Sequence, residues 1–332
     1  MHSATVTVVL VNFNSGGLLA QCLQHLALQT RPPERILVMD NGSCDGSVEC
    51  AQSYPNVRVR MVGRNLGFAR ANNLAVAETD TDYVALLNTD ANAQPDWLER
   101  LMGAASANPD VVAFGSRQMA VGSDEVVDGL GDAYHFSGLV WRHGHGRKLR
   151  LADLVSREVF SACGAAALYR REAFLRAGGF DEDFFCYCED SDLGFRLRLT
   201  GKRCLFVPGA VVYHHGAGSS GGKGSDFSLY HGHRNLVWMF VKNMPGALFW
   251  VLLPVHVLQN LAIIALFMLR GRARVILRAK RDAVRGLPAA WAKRRAIQAA
   301  RVASLGQIWK AMDGRMGRRL SVRLLRALHL SA

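Results

Sequence analysis

Short apolar runs alternate with amphipathic stretches over the first part of the chain. Residues 5–12 (TVTVVLVN) are β-branched and read as a strand. Ser15 can cap a helix that carries Leu18, Leu19, Cys22, Leu23 and Leu26 on one face. Residues 36–40 form a second buried strand ending in Asp40, and Asn41, Gly42 and Ser43 are a turn signal. Asp45 opens another helix, residues 57–62 make a third strand and residues 66–77 a further helix. Residues 83–88 are a fourth strand, whose unbroken apolar run from Tyr83 to Leu87 points to burial on both faces. The run stops abruptly, and Asp90 follows. This alternation predicts βαβ units and an α/β fold with a mostly parallel central sheet and flanking helices.

The pattern then loosens. Residues 95–107 read as a helix with Pro95 in its first turn, and 111–114 as a strand. Residues 115–158 are Gly-rich, read as irregular, and contain His135, His143 and His145. No Cys or carboxylate stands out there to complete a metal site, so the H-x-H is read as a solvated loop. A short strand at 165–169 and a short helix at 171–177 follow. Aromatics crowd around acids from Phe180 to Arg196, and Glu189, Asp190 and Asp192 open a helix that runs to about Thr200. Residues 211–215 are a strand ending in His214 and His215. Residues 216–224 are a flexible loop with Ser219 and Ser220, and 227–242 a helix carrying Arg234 and Asn235.

Charge divides the chain. Of the net +13, residues 270–332 hold 17 Lys/Arg against Asp282 and Asp313 only, so the remainder is nearly neutral. A basic tail suits an anionic lipid surface or nucleic acid. The 332 residues suggest two domains, or one large domain with an appendage: 1–243, then an apolar and basic helical region, 244–332. Seven Cys without a regular framework read as reduced thiols in a cytosolic compartment, and the N-terminus runs directly into a strand without a signal peptide. Residues 247–269 lack Asp, Glu, Lys and Arg. As a helix they would span about 34 Å, enough for a bilayer. Pro254, His256, Gln259 and Asn260 interrupt their middle.

The chemistry concentrates at strand ends, where ligands bind in open α/β sheets. A carboxylate at Asp90 can hold a divalent cation, and the cation a diphosphate. The first turn has neither G-x-G-x-x-G nor a Walker lysine, so a nucleotide would be gripped by Asp40 on its base and a metal at Asp90 on its phosphates. Glu189, Asp190 and Asp192 repel one another, which raises at least one of them towards a usable general base. His214 reads either as a metal ligand or as a satisfied core histidine.

These residues resemble the family 2 glycosyltransferases of GT-A fold, and among them the bacterial rhamnosyltransferase-type enzymes of surface-polysaccharide assembly. The motifs are Val11-Asn-Phe-Asn14, Met39-Asp-Asn-Gly-Ser43, Arg64-Asn-Leu-Gly-Phe-Ala69 with Asn72 and Asn73, and Leu86-Leu-Asn-Thr-Asp90. They continue with Cys163-Gly-Ala, Gly178-Gly-Phe-Asp-Glu-Asp-Phe-Phe185, Tyr187-Cys-Glu-Asp-Ser-Asp-Leu193 and Val212-Tyr-His-His-Gly216. Together they cover about residues 5–240.

The resemblance implies an inverting, metal-dependent hexosyl transfer from a nucleotide-diphosphate sugar to a lipid-linked or other glycan acceptor. Asp190 would be the base, with Glu189 and Asp192 beside it, and Asp90 and His214 would hold Mg²⁺ or Mn²⁺. Asn12, Asn14, Asp40, Asn41, Gly67, Asn72, Asn88 and Thr89 would bind donor, and Gly164, Glu189 and Arg196 acceptor. Residues 115–158 are read as a segment that helps choose the acceptor. The usual Asp-x-Asp metal motif has Asn88 in its first position here, which leaves the cation fewer protein charges. A donor made in the cytosol places the enzyme on the cytoplasmic face of the bacterial inner membrane. A single crossing would put the basic tail outside, against the positive-inside rule. Residues 247–269 are therefore expected to lie in the interface or to dip in and return, with an anionic membrane surface and no nucleic acid as partner. Two other classes compete. A sugar nucleotidyltransferase would need a basic Gly-rich loop where residues 12–17 have no Lys or Arg, and a non-catalytic membrane-binding protein leaves the acids without purpose.

Overall fold

The structure is a computed structural model that describes residues 4–216 and 224–314. Ser219, Ser220 and the last part of the basic tail lie outside the described residues. The first unit runs β1 (Val6–Asn12), α1 (Leu18–Ala27), β2 (Arg35–Asp40), β3 (Val57–Met61), α2 (Gly67–Ala77), β4 (Tyr83–Asn88), β5 (Ala91–Ala93) and α3 (Trp97–Ala107). It continues through β6 (Val111–Ala120), β7 (Val127–Gly129), β8 (Asp132–Tyr134), β9 (Val140–Arg142), β10 (Arg157–Val159), β11 (Ala166–Arg170), α4 (Arg171–Arg176), α5 (Glu189–Leu199) and β12 (Arg203–His214). Five helices complete the described chain: α6 (Asp226–Asn243), α7 (Gly246–Leu269), α8 (Ala273–Arg285), α9 (Leu287–Ala299) and α10 (Leu305–Ala311).

The central sheet has the order β10-β12-β6-β11-β4-β1-β2-β3, with β5 and β7 added beside β12 and β6. β1 lies parallel between β2 and β4, with Val9 opposite both Leu37 and Leu86. β11 is antiparallel between β4 and β6, so the sheet is mixed but mostly parallel. Alternation along each strand builds the two layers. Val6, Val8 and Leu10 of β1 face α1 and α3, whereas Val9 joins the side of α2 and α5. The parallel arrangement brings the ends of β1, β2 and β4, and hence Asn12, Asp40 and Asn88, to one edge.

Three expectations change. The helix at Asp45 is a 3₁₀ segment, Ser47–Ser53. The strand read at 211–215 is the end of a twelve-residue strand, hidden by Pro208 and Gly209, where its register against β6 shifts between Val207 and Val211. Residues 115–158 are not irregular: β6 runs on to Ala120, and β7 to β9 follow as three-residue strands, with β10 beginning at Arg157. Strands this short, separated by glycines such as Gly131 and Gly138 at positive φ, leave no window long enough to show a period of two.

The division expected at residue 243 falls between α6 and α7, and the packing does not divide there. Tyr134, Phe160, Phe184 and Phe195 share one hydrophobic core with Phe240, Phe249, Ala290 and Ile308. α7 is continuous through Pro254 rather than re-entrant. Phe249, Leu252, His256, Ile263 and Phe267 are buried, while Trp250, Leu258, Leu261 and Leu269 are exposed. The polar residues that interrupt the apolar segment point inward. His256 Nδ1 lies 2.8 Å from the Ser137 carbonyl, and Lys280 Nζ of α8 donates to Asn260 Oδ1 and to the His233 carbonyl, at 2.5 and 2.8 Å. Burial pushes the Lys280 ammonium down to about 7.

Candidate active site

A cavity of about 720 Å³ opens at the edge where β1, β2 and β4 end. One wall comes from the turns after these strands. Asn41, Asn65, Gly67, Phe68, Asn88 and Thr89 line it. Asn41 fixes the turn before α2, donating to Asn65 Oδ1 at 2.9 Å and accepting from the Leu66 N–H at 2.9 Å. Gly67 has φ +82°, and a Cβ there would sit 2.5 Å from the Phe185 carbonyl oxygen, so only glycine lets α2 approach the loop before α5. Four expected donor residues do not line the cavity. Asn12 donates to Asp40 Oδ1 at 2.9 Å, and the Ser43 N–H donates to Asp40 Oδ2 at 3.2 Å. Asn14 accepts from the Cys44 N–H, and Asn72 donates to the Phe68 carbonyl within its own helix. Asn12, Asn14 and Asp40 therefore shape the turns beneath the wall.

At the end of β4, Asp90 faces the last residue of β12. His214 Nε2 is 3.2 Å from Asp90 Oδ1, and its Nδ1 is 2.8 Å from Asp128 Oδ2. Asp128 also meets Arg142 Nη1 at 2.7 Å and His145 Nδ1 at 3.3 Å. Burial works against the Asp128 carboxylate, but Arg142, His145 and His214 together hold it well below the usual range. Burial likewise opposes charge on His214, yet its bonds to Asp128 and Asp90 raise it. One carboxylate oxygen and one imidazole nitrogen, side by side and facing a cavity, are donors that fit Mg²⁺ or Mn²⁺.

A second acidic group stands at the start of α5. Asp190 Oδ2 accepts from the Gly164 N–H at 2.9 Å and Oδ1 from the Ser191 N–H at 2.7 Å. The approach to α5 is strained: Phe185, Tyr187 and Cys188 all have positive φ. Ligand atoms of Asp132, Cys163 and Asp190 lie within 4.8 Å of one another. Burial, then the Asp190 charge, pushes the Asp132 carboxyl well up, and the same two causes raise Glu189. Glu189 lines the cavity, and its buried Oε2 has no hydrogen-bond partner among the described residues.

The structure withdraws two expected residues from this group. Asp192 does not line the cavity. It is fully buried and bonded to Arg196 Nε, Asn243 Nδ2 and Lys242 Nζ at 2.9, 2.7 and 3.0 Å. Arg196 is spent on Asp192 and on the carbonyls of Ala177 and Gly179. Both tie α5 to its neighbours and have no free group for substrate. Gly164 stays at the site, as the donor to Asp190.

β7 and the hairpin β8–β9, with the turn after it, supply residues that sequence reasoning missed. Asp128, Asp132 and Arg142 were overlooked, and His145, read as part of a solvated loop, bonds Asp128 and lines the cavity. One signal was available: residues 126–134 (VVDGLGDAY) hold two isolated acids in an otherwise apolar stretch, which is where a buried charge needs a partner. Leu139 and Trp141, with Leu236 of α6, give the remaining wall an apolar character.

Known proteins resemble this chain in sequence and in fold. Residues 7–177 match "Glycosyl transferase family 2". The chain is 35% identical over 243 residues to the N-acetylglucosaminyl-diphospho-decaprenol L-rhamnosyltransferase of Mycobacterium tuberculosis, covering 64% of this chain and 77% of that one. It is 26% identical to the O-antigen chain rhamnosyltransferase RfbN of Salmonella typhimurium, covering 63% and 66%. Among solved structures, GalNAc-T7 with UDP, GalNAc and Mn²⁺ superposes with a TM-score of 0.58 at 17% identity. The match covers 73% of this chain and 48% of that one, so this chain corresponds to about half of GalNAc-T7. That likeness bears out the GT-A fold.

Proposed function

The chain belongs to glycosyl transferase family 2, and from that premise we propose that it moves a sugar, rhamnose first among them, from a nucleotide-diphosphate donor to a hydroxyl of a lipid-linked glycan in cell-surface polysaccharide assembly. Family membership makes it a glycosyltransferase and removes the nucleotidyltransferase and non-catalytic readings. The names of the mycobacterial and Salmonella relatives support the sugar and the acceptor. The observation that carries the reading is the presence, in one cavity, of two separate carboxylates: Asp190 pinned by two backbone N–H groups, and Asp90 beside His214.

In the inverting mechanism, Asp190 takes the proton of the acceptor hydroxyl as its oxygen attacks the anomeric carbon. The bond from that carbon to the diphosphate breaks, and the nucleoside diphosphate leaves with the electron pair. The Gly164 and Ser191 N–H groups fix the direction of the Asp190 carboxylate, so little ordering is left for the reactive encounter. Asp90 and His214 would hold Mg²⁺ or Mn²⁺, as Mn²⁺ accompanies UDP in the GalNAc-T7 structure. Such a cation, when bound, neutralises charge developing on the leaving diphosphate. Asn41, Gly67, Asn88 and Thr89 bind the donor, with Asp40 and Asn12 holding the turn that presents Asn41. Glu189 and the hairpin wall receive the acceptor.

The apolar outer face of α7 supports association with the membrane. Its polar residues bond the catalytic unit and its opposite face is apolar and exposed. α8 then returns to pack on α6 through Lys280 and Trp238. The helix lies along the interface on the cytoplasmic side, with exposed arginines of α8 such as Arg274, and Arg278 and Arg281 beside Asp282, facing anionic headgroups.

The test is a panel of nucleotide sugars offered to the full chain with Mn²⁺ or Mg²⁺ and an N-acetylglucosaminyl-diphospho-polyprenol acceptor. A rhamnosylated lipid and free nucleoside diphosphate are expected. No transfer and no donor hydrolysis with any sugar would overturn the reading, and transfer of another sugar would replace rhamnose.

A further inference from the structure

We propose that Asp128 is a positioning residue that fixes the imidazole of His214 so that Nε2 faces Asp90 and a divalent cation, an inference that rests on the metal-dependent transfer proposed above. The geometry is specific. His214 is 4% exposed and Asp128 is 2% exposed, so neither ring nor carboxylate is oriented by solvent. Asp128 Oδ2 is 2.8 Å from Nδ1, and Asp90 Oδ1 is 3.2 Å from Nε2, so the ring is held between the two carboxylates. A carboxylate paired with a guanidinium accepts hydrogen bonds, so Nδ1–H donates to Asp128, and Nε2, which can donate to Asp90 while no cation is bound, turns its lone pair to a cation that displaces that proton. A histidine that ligates a metal through one nitrogen commonly donates its other N–H to a carboxylate in this way. Asp128 is itself held. The Arg142 guanidinium donates to the same Oδ2 at 2.7 Å, and His145 lies against Oδ1 at 3.3 Å.

The sheet explains how two residues so far apart in sequence meet. β6 is the common neighbour: Gln118 lies opposite Gly129 of β7, and Ala120 lies opposite His214 of β12. The residue before Gly129 is thereby delivered to the end of β12. Arg142 comes from β9 and His145 from the turn after it, so with Asp128 residues 115–158 contribute three of the groups that brace the metal side of the cavity. This gives that segment a role in donor chemistry as well as in acceptor choice.

Mn²⁺ alone is the probe, titrated into the full chain and followed by electron paramagnetic resonance. Nitrogen modulation of the bound-Mn²⁺ signal reports imidazole ligation. Wild type should show it and His214→Ala should lose it. Asp128→Ala should lower Mn²⁺ affinity about 10- to 100-fold and weaken the nitrogen modulation, while residual binding through Asp90 persists. Asp128→Asn keeps an oxygen that accepts from Nδ1–H and should fall between wild type and Asp128→Ala. Wild-type affinity and full modulation in Asp128→Ala would overturn the role of Asp128 alone. Failure of wild type to bind Mn²⁺ would overturn the metal reading and this inference with it. If circular dichroism shows Asp128→Ala unfolded, Asp128→Asn decides: affinity below wild type supports the role, and affinity equal to wild type overturns it.

Discussion

Asp128 and Asp132 lie four residues apart, both almost fully buried, yet their carboxyls are pushed in opposite directions. Asp128 faces Arg142, His145 and His214, and this company overcomes the cost of burial. Asp132 faces Asp190 and Cys163, with a Ser161 hydroxyl at 3.2 Å as hydrogen-bond donor among the described residues and Arg142 as an electrostatic counterweight, so burial and like charge win. Burial alone does not set the ionisation of a carboxylate; the sign of its neighbours does. In the proposed function, one side of the cavity keeps negative charge for a cation. The other crowds acids together, as suits proton transfer.

The sharpest way to break this comparison is to remove one carboxylate from each side. Asp190→Asn should reduce turnover by about 10²- to 10⁴-fold while leaving the donor KM nearly unchanged, because only the proton acceptor is lost. Asp90→Ala should raise the donor KM and lower kcat together. If Asp190→Asn also raises the donor KM in proportion, the two sides do not perform separate tasks.

Asp192 separates chemistry from scaffolding within the acidic cluster. Asp192→Ala leaves the buried Arg196 guanidinium without its carboxylate and Lys242 with Asp181 alone, whose carboxyl Lys242 and Lys293 hold down to about 2 against the cost of burial. Breaking one partner of a buried ion pair costs about 3–5 kcal/mol. Denaturant unfolding should show a loss of that order for Asp192→Ala and little for Asp190→Asn. The reverse ranking would return Asp192 to the site.

The parallel half of the molecule was legible because its strands are long and apolar and end in carboxylates, so Asp40, Asn88 and Asp90 were placed correctly at one edge. The acid cluster at 189–192 was also visible, but a sequence cannot say which way each side chain turns on a helix. Asp190 faces Gly164 at the cavity and Asp192 faces α6, two residues away. Asp128, Asp132 and Arg142 were hidden because three-residue strands show no period, and their partners are contributed by other strands. The interruptions in the apolar segment at 247–269 were read as breaks in a membrane helix. His256 and Asn260 belong to its inward face, which only the contacts with Ser137 and Lys280 reveal, whereas Pro254 is exposed.

A finer test of the two sides uses pH. The folded Asp132 carboxyl is raised above its unfolded value, so the stability it contributes is present at low pH and lost as pH rises through the folded value. Asp128 is depressed, so its contribution is present above the unfolded value and lost as pH falls towards the folded one. Asp132→Asn removes a titration and should become more stable relative to wild type as pH increases. Asp128→Asn should lose ground relative to wild type above the ordinary carboxylate range. Parallel pH profiles for the two variants would show that the neighbours do not divide these carboxyls.

The smallest effect is expected on the outer face of α7, which should leave both acidic groups untouched. Leu258 and Leu261 are 66% and 56% exposed and touch neither the cavity nor the inward polar residues. If this face enters the lipid interface, each leucine exchanges water for hydrocarbon, worth about 1 kcal/mol for a partly exposed side chain. Leu258→Gln with Leu261→Gln should therefore weaken sedimentation with vesicles of anionic phospholipid by about tenfold or more, since 1.4 kcal/mol corresponds to a factor of ten. Release of nucleoside diphosphate from the donor in solution should remain at the wild-type level. High salt should weaken vesicle binding of wild type and variant alike, because it screens the arginines of α8 rather than the apolar contact. If the double variant sediments as wild type does, the exposed face is not what meets the lipid. If it also loses donor turnover, α7 is coupled to the cavity through His256 and Ser137 rather than serving as a surface anchor.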